Sequence, residues 1–194
     1  MSGISYVRYP LSDDGFIHNW LVAGLQAIPV EDLDRFGKEN LHLDIARAYT
    51  MPEPGITEQP VEPALVTDGC FTVGGYESQW RYIRCPDDHF VDLSTFQHTC
   101  HYLRAWAYAE IESAGEQHAT LILTTNGPAD VWLNDEHLHR QEHHHPNQPH
   151  SVPFTARFIE GRNRILIRFE NVATRNCTYV MALRIEKQES HNTE

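Results

Sequence analysis

The run Arg164-Ile165-Leu166-Ile167-Arg168-Phe169-Glu170-Asn171 alternates with period two, turning Ile165, Ile167 and Phe169 to one side as a half-buried strand requires. Tyr179-Val180-Met181-Ala182-Leu183-Arg184-Ile185-Glu186 repeats the rhythm downstream. Upstream, Ala119-Thr120-Leu121-Ile122-Leu123-Thr124-Thr125 is β-branched and apolar, and Asn126-Gly127-Pro128 closes it with a turn signal. Between them lie Ala129-Asp130-Val131-Trp132-Leu133, a turn at Asn134-Asp135-Glu136, the segment His137-Leu138-His139, and Ser151 to Phe158. Short strands broken by turns at this spacing predict two packed sheets rather than alternating β and α units.

Working further outward, Cys70-Phe71-Thr72-Val73 precedes a Gly74-Gly75 break, and Gln79 to Cys85 alternates again. Phe90-Val91-Asp92-Leu93 is followed by a turn-like Ser94-Thr95-Phe96. The run from Cys100 to Glu112 has alanines that suit a helix. Its Tyr102, Arg104, Trp106 and Tyr108 nevertheless share one strand face, with Leu103, Ala105, Ala107 and Ala109 on the other. Aromatics and strand neighbours predict one long strand. Residues 1–63 read as an irregular arm packed on the core. That arm holds an early strand ending at Gly24 and a helical turn over 30–36 capped by Asp32, with breaks at Pro52, Pro54, Pro60 and Pro63. The expected division is a 1–63 arm, a 64–187 all-β sandwich and a 188–194 polar tail.

Composition narrows the function. The chain has 194 residues, 41% hydrophobic and 10% aromatic, enough for one packed core. Its 27 acidic against 15 basic residues give a net charge of −12, which repels phosphate backbones and anionic membranes. No apolar run of about 18 residues is present to span a bilayer. The first ten residues lack the apolar stretch of a secretory signal, which favours a cytoplasmic location. Cys70, Cys85, Cys100 and Cys177 match no zinc spacing and read as buried free thiols.

Trp132-Leu133-Asn134-Asp135-Glu136-His137-Leu138, then Pro153-Phe154, then Glu160-Gly161-Arg162-Asn163-Arg164-Ile165-Leu166-Ile167-Arg168, resembles the galactose-binding-like jelly roll. That fold serves as the sugar-binding domain of family 2 glycoside hydrolases and as accessory modules of bacterial polysaccharide-processing proteins. Asp135 stands where the family usually has glycine. Ile17-His18-Asn19-Trp20-Leu21-Val22-Ala23-Gly24 is similar to the entry of such modules. The resemblance implies a non-catalytic carbohydrate-binding or supporting module of a larger carbohydrate-active protein. Its partners would be a neighbouring domain or subunit of that protein and an oligosaccharide. The family's catalytic carboxylates belong to a separate barrel, so no active site carries over.

Sugar sites need aromatic platforms beside hydrogen-bonding groups. The candidates are Trp80, Arg104, Trp106, Trp132, Asn134 and Glu136, with Tyr82, Tyr108 and Asp130 in support. Each aromatic reads equally as core. His137, His139, His143, His145 and His150 form the other unusual feature. On one strand His137 and His139 would project together. With a third imidazole, and Glu136 or Glu142 nearby, they could hold Zn, Ni or Fe, giving a cupin-like enzyme as the alternative. A plain His-rich loop, with no cofactor, is the simpler reading, and a purely structural interdomain module without ligand is a third. No nucleotide-binding glycine loop and no Gly-x-Ser-x-Gly elbow occur.

Overall fold

The computed structural model describes residues 12–56 and 70–186. The expected breaks at Pro60 and Pro63 and the polar tail at 188–194 lie outside the described residues. The first elements are β1 (Asn19–Pro29), a 3-10 turn (Leu33–Arg35), α1 (Leu41–Tyr49), β2 (Cys70–Val73) and β3 (Tyr76–Arg84). Then come β4 (Val91–Asp92), β5 (Thr95–Phe96), β6 (His101–Ser113), β7 (Gln117–Thr125) and β8 (Ala129–Leu133). The last are β9 (Glu136–Gln141), β10 (His150–Phe158), β11 (Gly161–Ala173), β12 (Asn176–Cys177) and β13 (Val180–Glu186).

Antiparallel pairing builds a seven-stranded sheet in the order β2-β3-β1-β6-β11-β8-β9 and a four-stranded sheet in the order β10-β7-β13-β4. β5 and β12 make a small two-stranded ladder. The chain changes sheet between β6 and β7, β7 and β8, β9 and β10, and β10 and β11, the winding of a jelly-roll sandwich. The inner faces meet where alternation placed the apolar side chains. Leu103, Ala105 and Ala107 of β6 and Ile165, Ile167 and Phe169 of β11 pack with Leu121 and Leu123 of β7 and Leu183 of β13. All nine are fully buried. Each large one contributes about 1.5–3 kcal/mol against chain entropy.

Residues 19–29 do not lie on the core as an irregular arm. They form β1, an interior strand hydrogen-bonded to β3 on one side and β6 on the other. The strand runs on past Gly24, with a register shift between Ala23 and Gln26. Val22 therefore faces the inter-sheet core while Ala23 joins the opposite face. Thr95–Phe96, expected as a turn, pairs with β12. Asp32 precedes the 3-10 turn but makes no side-chain cap, its backbone being left-handed at φ 51°.

The helix α1 follows from Leu41, Ile45 and Tyr49 spaced four apart, one apolar stripe. That stripe packs on Tyr102 of β6 and Val172 of β11, so the helix lies across the outer face of the larger sheet.

Candidate functional site

The outer face of the seven-stranded sheet is unusually polar for a covered surface. On β6 it carries Tyr102, Arg104, Trp106 and Tyr108, and on β11 Leu166, Arg168 and Glu170. β8 adds Asp130 and Trp132, paired with Arg168 and Leu166. The segment after α1 straps this face. Trp106 Nε1–H donates to the Pro54 carbonyl at 2.7 Å, and Arg168 Nη1–H donates to the Glu53 carbonyl at 2.6 Å. Charged side chains that alternation would give to solvent are thereby enclosed: Arg168 is 1% exposed and Glu170 0%.

Between this strap and β9 a cleft of about 370 Å³ remains, lined by Arg47, Thr50, Met51, Pro52, Asp130, His137, Arg140, Glu142 and Arg168. Asp130 is its hub. It accepts from His137 Nε2 at 2.8 Å, Arg140 Nη1 at 2.6 Å and Arg168 Nη2 at 2.7 Å. Glu142 accepts from Arg47 of α1 and, at 3.4 Å, from Arg140. His137 lies edge-on to Trp132 with centroids 5.4 Å apart, and the Arg168 guanidinium sits 5.2 Å from the Trp132 ring centre. Behind the cleft, Glu170 takes a 2.5 Å hydrogen bond from the Tyr102 hydroxyl. Burial pushes the Glu170 carboxyl above its ordinary range, opposed by Arg168, Thr50, Tyr102 and Arg140.

The expected sugar platforms fall elsewhere. Trp80 and Trp106 are 1% and 0% exposed and belong to a second apolar cluster with Tyr108, Trp132, Val73 and Ile56. Enclosed indoles offer no face to a sugar ring, so these two are structural. Arg104 is likewise buried, donating to Gln26 Oε1 at 2.7 Å and to the Val73 carbonyl at 3.4 Å. Asn134 locks the β8–β9 turn at φ 51°, donating to Asn163 Oδ1 and accepting from the Arg164 amide. Glu136 is exposed and does not line the cleft. Trp132 is the one proposed aromatic that borders the site, and Asp130 the one supporting polar group at its centre.

The histidines do not gather as expected. A bulge sets Trp132 opposite His137 but Val131 opposite His139, so one step on β8 spans two on β9. The two rings then part. His137 reaches Asp130 on the outer face, while His139 stacks on Phe154 of the other sheet at 4.2 Å. His144 stacks on His42 of α1 at 4.0 Å. His143, His145 and His150 pack ring on ring, centroids 4.9 to 5.3 Å apart. Among the described residues no three His, Cys, Asp or Glu side chains could hold a metal ion. The expectation of Zn, Ni or Fe at this cluster, and the cupin-like enzyme built on it, therefore finds no support.

Arg47, Thr50, Arg140, Arg168 and Glu170 were not legible as site residues. Three sit on β-strands where charge signals a solvated face, and two on elements that only the fold brings there.

No family model matches this chain, and no curated protein matches it. Among solved structures, a family 35 carbohydrate-binding module from Clostridium thermocellum is similar over 50% of this chain and 87% of its own, at 11% identity and TM-score 0.35. A GH31 α-xylosidase from Xanthomonas citri is similar over 47% of this chain but only 10% of its own, at 14% identity and TM-score 0.38. The PA14 domain of the antifreeze protein MpAFP is similar over 46% of each, at 8% identity and TM-score 0.36. Carbohydrate-binding modules are thus among the partial structural neighbours. The class defined by this chain's own pairing is a jelly-roll β-sandwich with a polar cleft on the outer face of its larger sheet.

Proposed function

We propose that this chain is a non-catalytic carbohydrate-binding module, part of a larger carbohydrate-active protein, and that its ligand site is the Asp130 cleft. One observation carries the reading: donors and acceptors are interleaved along one preorganised wall. Arg47, Arg140 and Arg168 present N–H groups, Asp130 and Glu142 present carboxylate oxygens, and Met51 and Pro52 supply apolar contact. A sugar hydroxyl both donates and accepts, so it suits such a wall. A simple anion or cation would meet like charge beside its counter-charge. The ion-paired side chains are already held in place, which lowers the ordering cost of binding.

Affinity electrophoresis through gels containing neutral polysaccharides tests this. At least one glucan, mannan, galactan or xylan retards the native chain, and Arg140→Ala abolishes the retardation. Unchanged mobility in every gel, or equal retardation of Arg140→Ala, contradicts the proposal.

A further inference from the structure

Three buried polar atoms at the back of the cleft have no hydrogen-bond partner: Thr50 Oγ1, Arg168 Nε and Glu170 Oε2. Buried polar atoms are nearly always satisfied, so three orphans together call for an explanation. They share one neighbourhood. Arg168 and Glu170 are two apart on the outer face of β11, and Arg168 Nε lies 3.7 Å from Glu170 Oε1, beyond hydrogen-bonding range. Thr50 steadies the Glu170 carboxylate without making a sound hydrogen bond to it. Arg140 Nη1 stands 3.8 Å from Oε2, an ion pair and no closer. Thr50 and Arg168 also line the cleft, and Glu170 lies buried behind them.

The trio's needs define its guest. Arg168 Nε–H and the Thr50 hydroxyl can each donate, and Glu170 Oε2 requires a donor. An alcohol oxygen accepts two hydrogen bonds and donates one, matching all three atoms. A carboxylate guest would set its charge against Glu170, and an ammonium group could accept nothing from Arg168. Because the trio sits behind the cleft wall, the hydroxyl must stand on a short arm projecting from the ligand's body. We propose that Thr50, Arg168 and Glu170 form a pocket for one primary alcohol, the exocyclic hydroxymethyl group of a hexose. The inference rests on the carbohydrate reading of the same cleft and narrows it to hexose-based over pentose-based saccharides.

The test follows the Arg168 Nε–H resonance of the ¹⁵N-labelled chain during titration. Methyl β-glucoside and methyl β-xyloside differ only in the hydroxymethyl group; glycerol is a free primary alcohol and acetate an anion control. Methyl β-glucoside and glycerol shift the resonance, whereas methyl β-xyloside and acetate do not. Thr50→Val cuts the shift at least threefold, and Thr50→Ser restores it. Equal, non-zero shifts from the two glycosides, or no shift from any alcohol, overturn the inference. A saccharide that moves Arg140 but leaves Arg168 Nε–H unmoved overturns it while leaving the cleft reading intact. Glycerol moving Arg168 Nε–H when no saccharide does supports the alcohol pocket and sinks the carbohydrate reading instead.

Discussion

Replacing Asp130 by asparagine keeps the side chain's shape and removes its charge. Asp130 is 4% exposed and accepts from three cationic or potentially cationic donors. Two of these, His137 and Arg140, reach solvent and can be rehydrated, since their side chains are 48% and 28% exposed. Arg168 cannot, being 1% exposed. Breaking a buried pair typically costs about 3–5 kcal/mol because a charge is left uncompensated. Arg168 keeps the Glu53 carbonyl and the more distant Glu170, which places the loss at the lower end, about 3 kcal/mol. In a chain of this size that lowers the melting temperature by about 6–12 °C. Urea unfolding followed by tryptophan fluorescence at pH 7 measures it. The double variant Asp130→Asn with Arg168→Met should not recover the loss, because it removes the stranded cation only to strand Glu170, which is 0% exposed and held chiefly by Arg168. A loss below about 1 kcal/mol for Asp130→Asn would refute the reasoning, since that is the scale of an exposed pair.

Other consequences follow from the same structure. Burial, together with neighbouring imidazoles, lowers His143 and His144 to about 4. Unfolded histidines titrate near 6.5, so between these values the unfolded chain binds more protons. Their contribution is complete above about pH 6.5 and is lost as the pH falls toward 4. The urea midpoint should therefore drop between pH 7 and pH 5, and His144→Gln should flatten that drop; an unaltered slope counts against the packing of His144 on His42. Cys70 is exposed, while Cys85 and Cys177 are buried and pushed up to about 12 and about 11. Native protein should thus yield one accessible thiol to an aromatic disulfide reagent and four after denaturation; more than one in the native state contradicts the core. A Cβ on Gly127 would lie 2.2 Å from the Glu170 carbonyl oxygen, so Gly127→Ala should cost about 1–3 kcal/mol or more in the same unfolding assay. Trp106→Phe should lower stability and weaken polysaccharide retardation, because the buried indole packs in the second apolar cluster and its bond to the Pro54 carbonyl holds the strap that walls the cleft.

How far the sequence could be read differs from element to element. β6, β7, β11 and β13 were legible because their inner face is apolar at every second residue, and the inter-sheet core follows from that alternation. The opposite face misled for a physical reason. Arg104, Arg168 and Glu170 occupy positions that alternation assigns to water, but the strap encloses Arg168, Thr50 lies against Glu170, and the Val73–Gly74 turn covers Arg104. The Leu41, Ile45 and Tyr49 spacing suits that helix, but Leu41, Leu43 and Ile45 alternate equally well as a strand, so periodicity alone did not separate the two. Its docking place could not be read, because nothing local says which sheet face it seeks. The separation of His137 from His139 depends on a single extra residue in β9, and no glycine marks the bulge. Trp80 and Trp106 show the converse limit. An aromatic on a polar-looking strand face reads alike as platform or as second core, and only the strap decides.

Chemical-shift mapping of the ¹⁵N-labelled chain, with an oligosaccharide of whichever polysaccharide retards it, bears most directly on the proposed site. The account predicts that perturbed amides converge on Thr50, Met51, Asp130, His137, Arg140 and Glu142, around the cleft beside Trp132. Perturbations confined to the outer face of the four-stranded sheet or to the β5–β12 end, or none at saturating ligand, would contradict it.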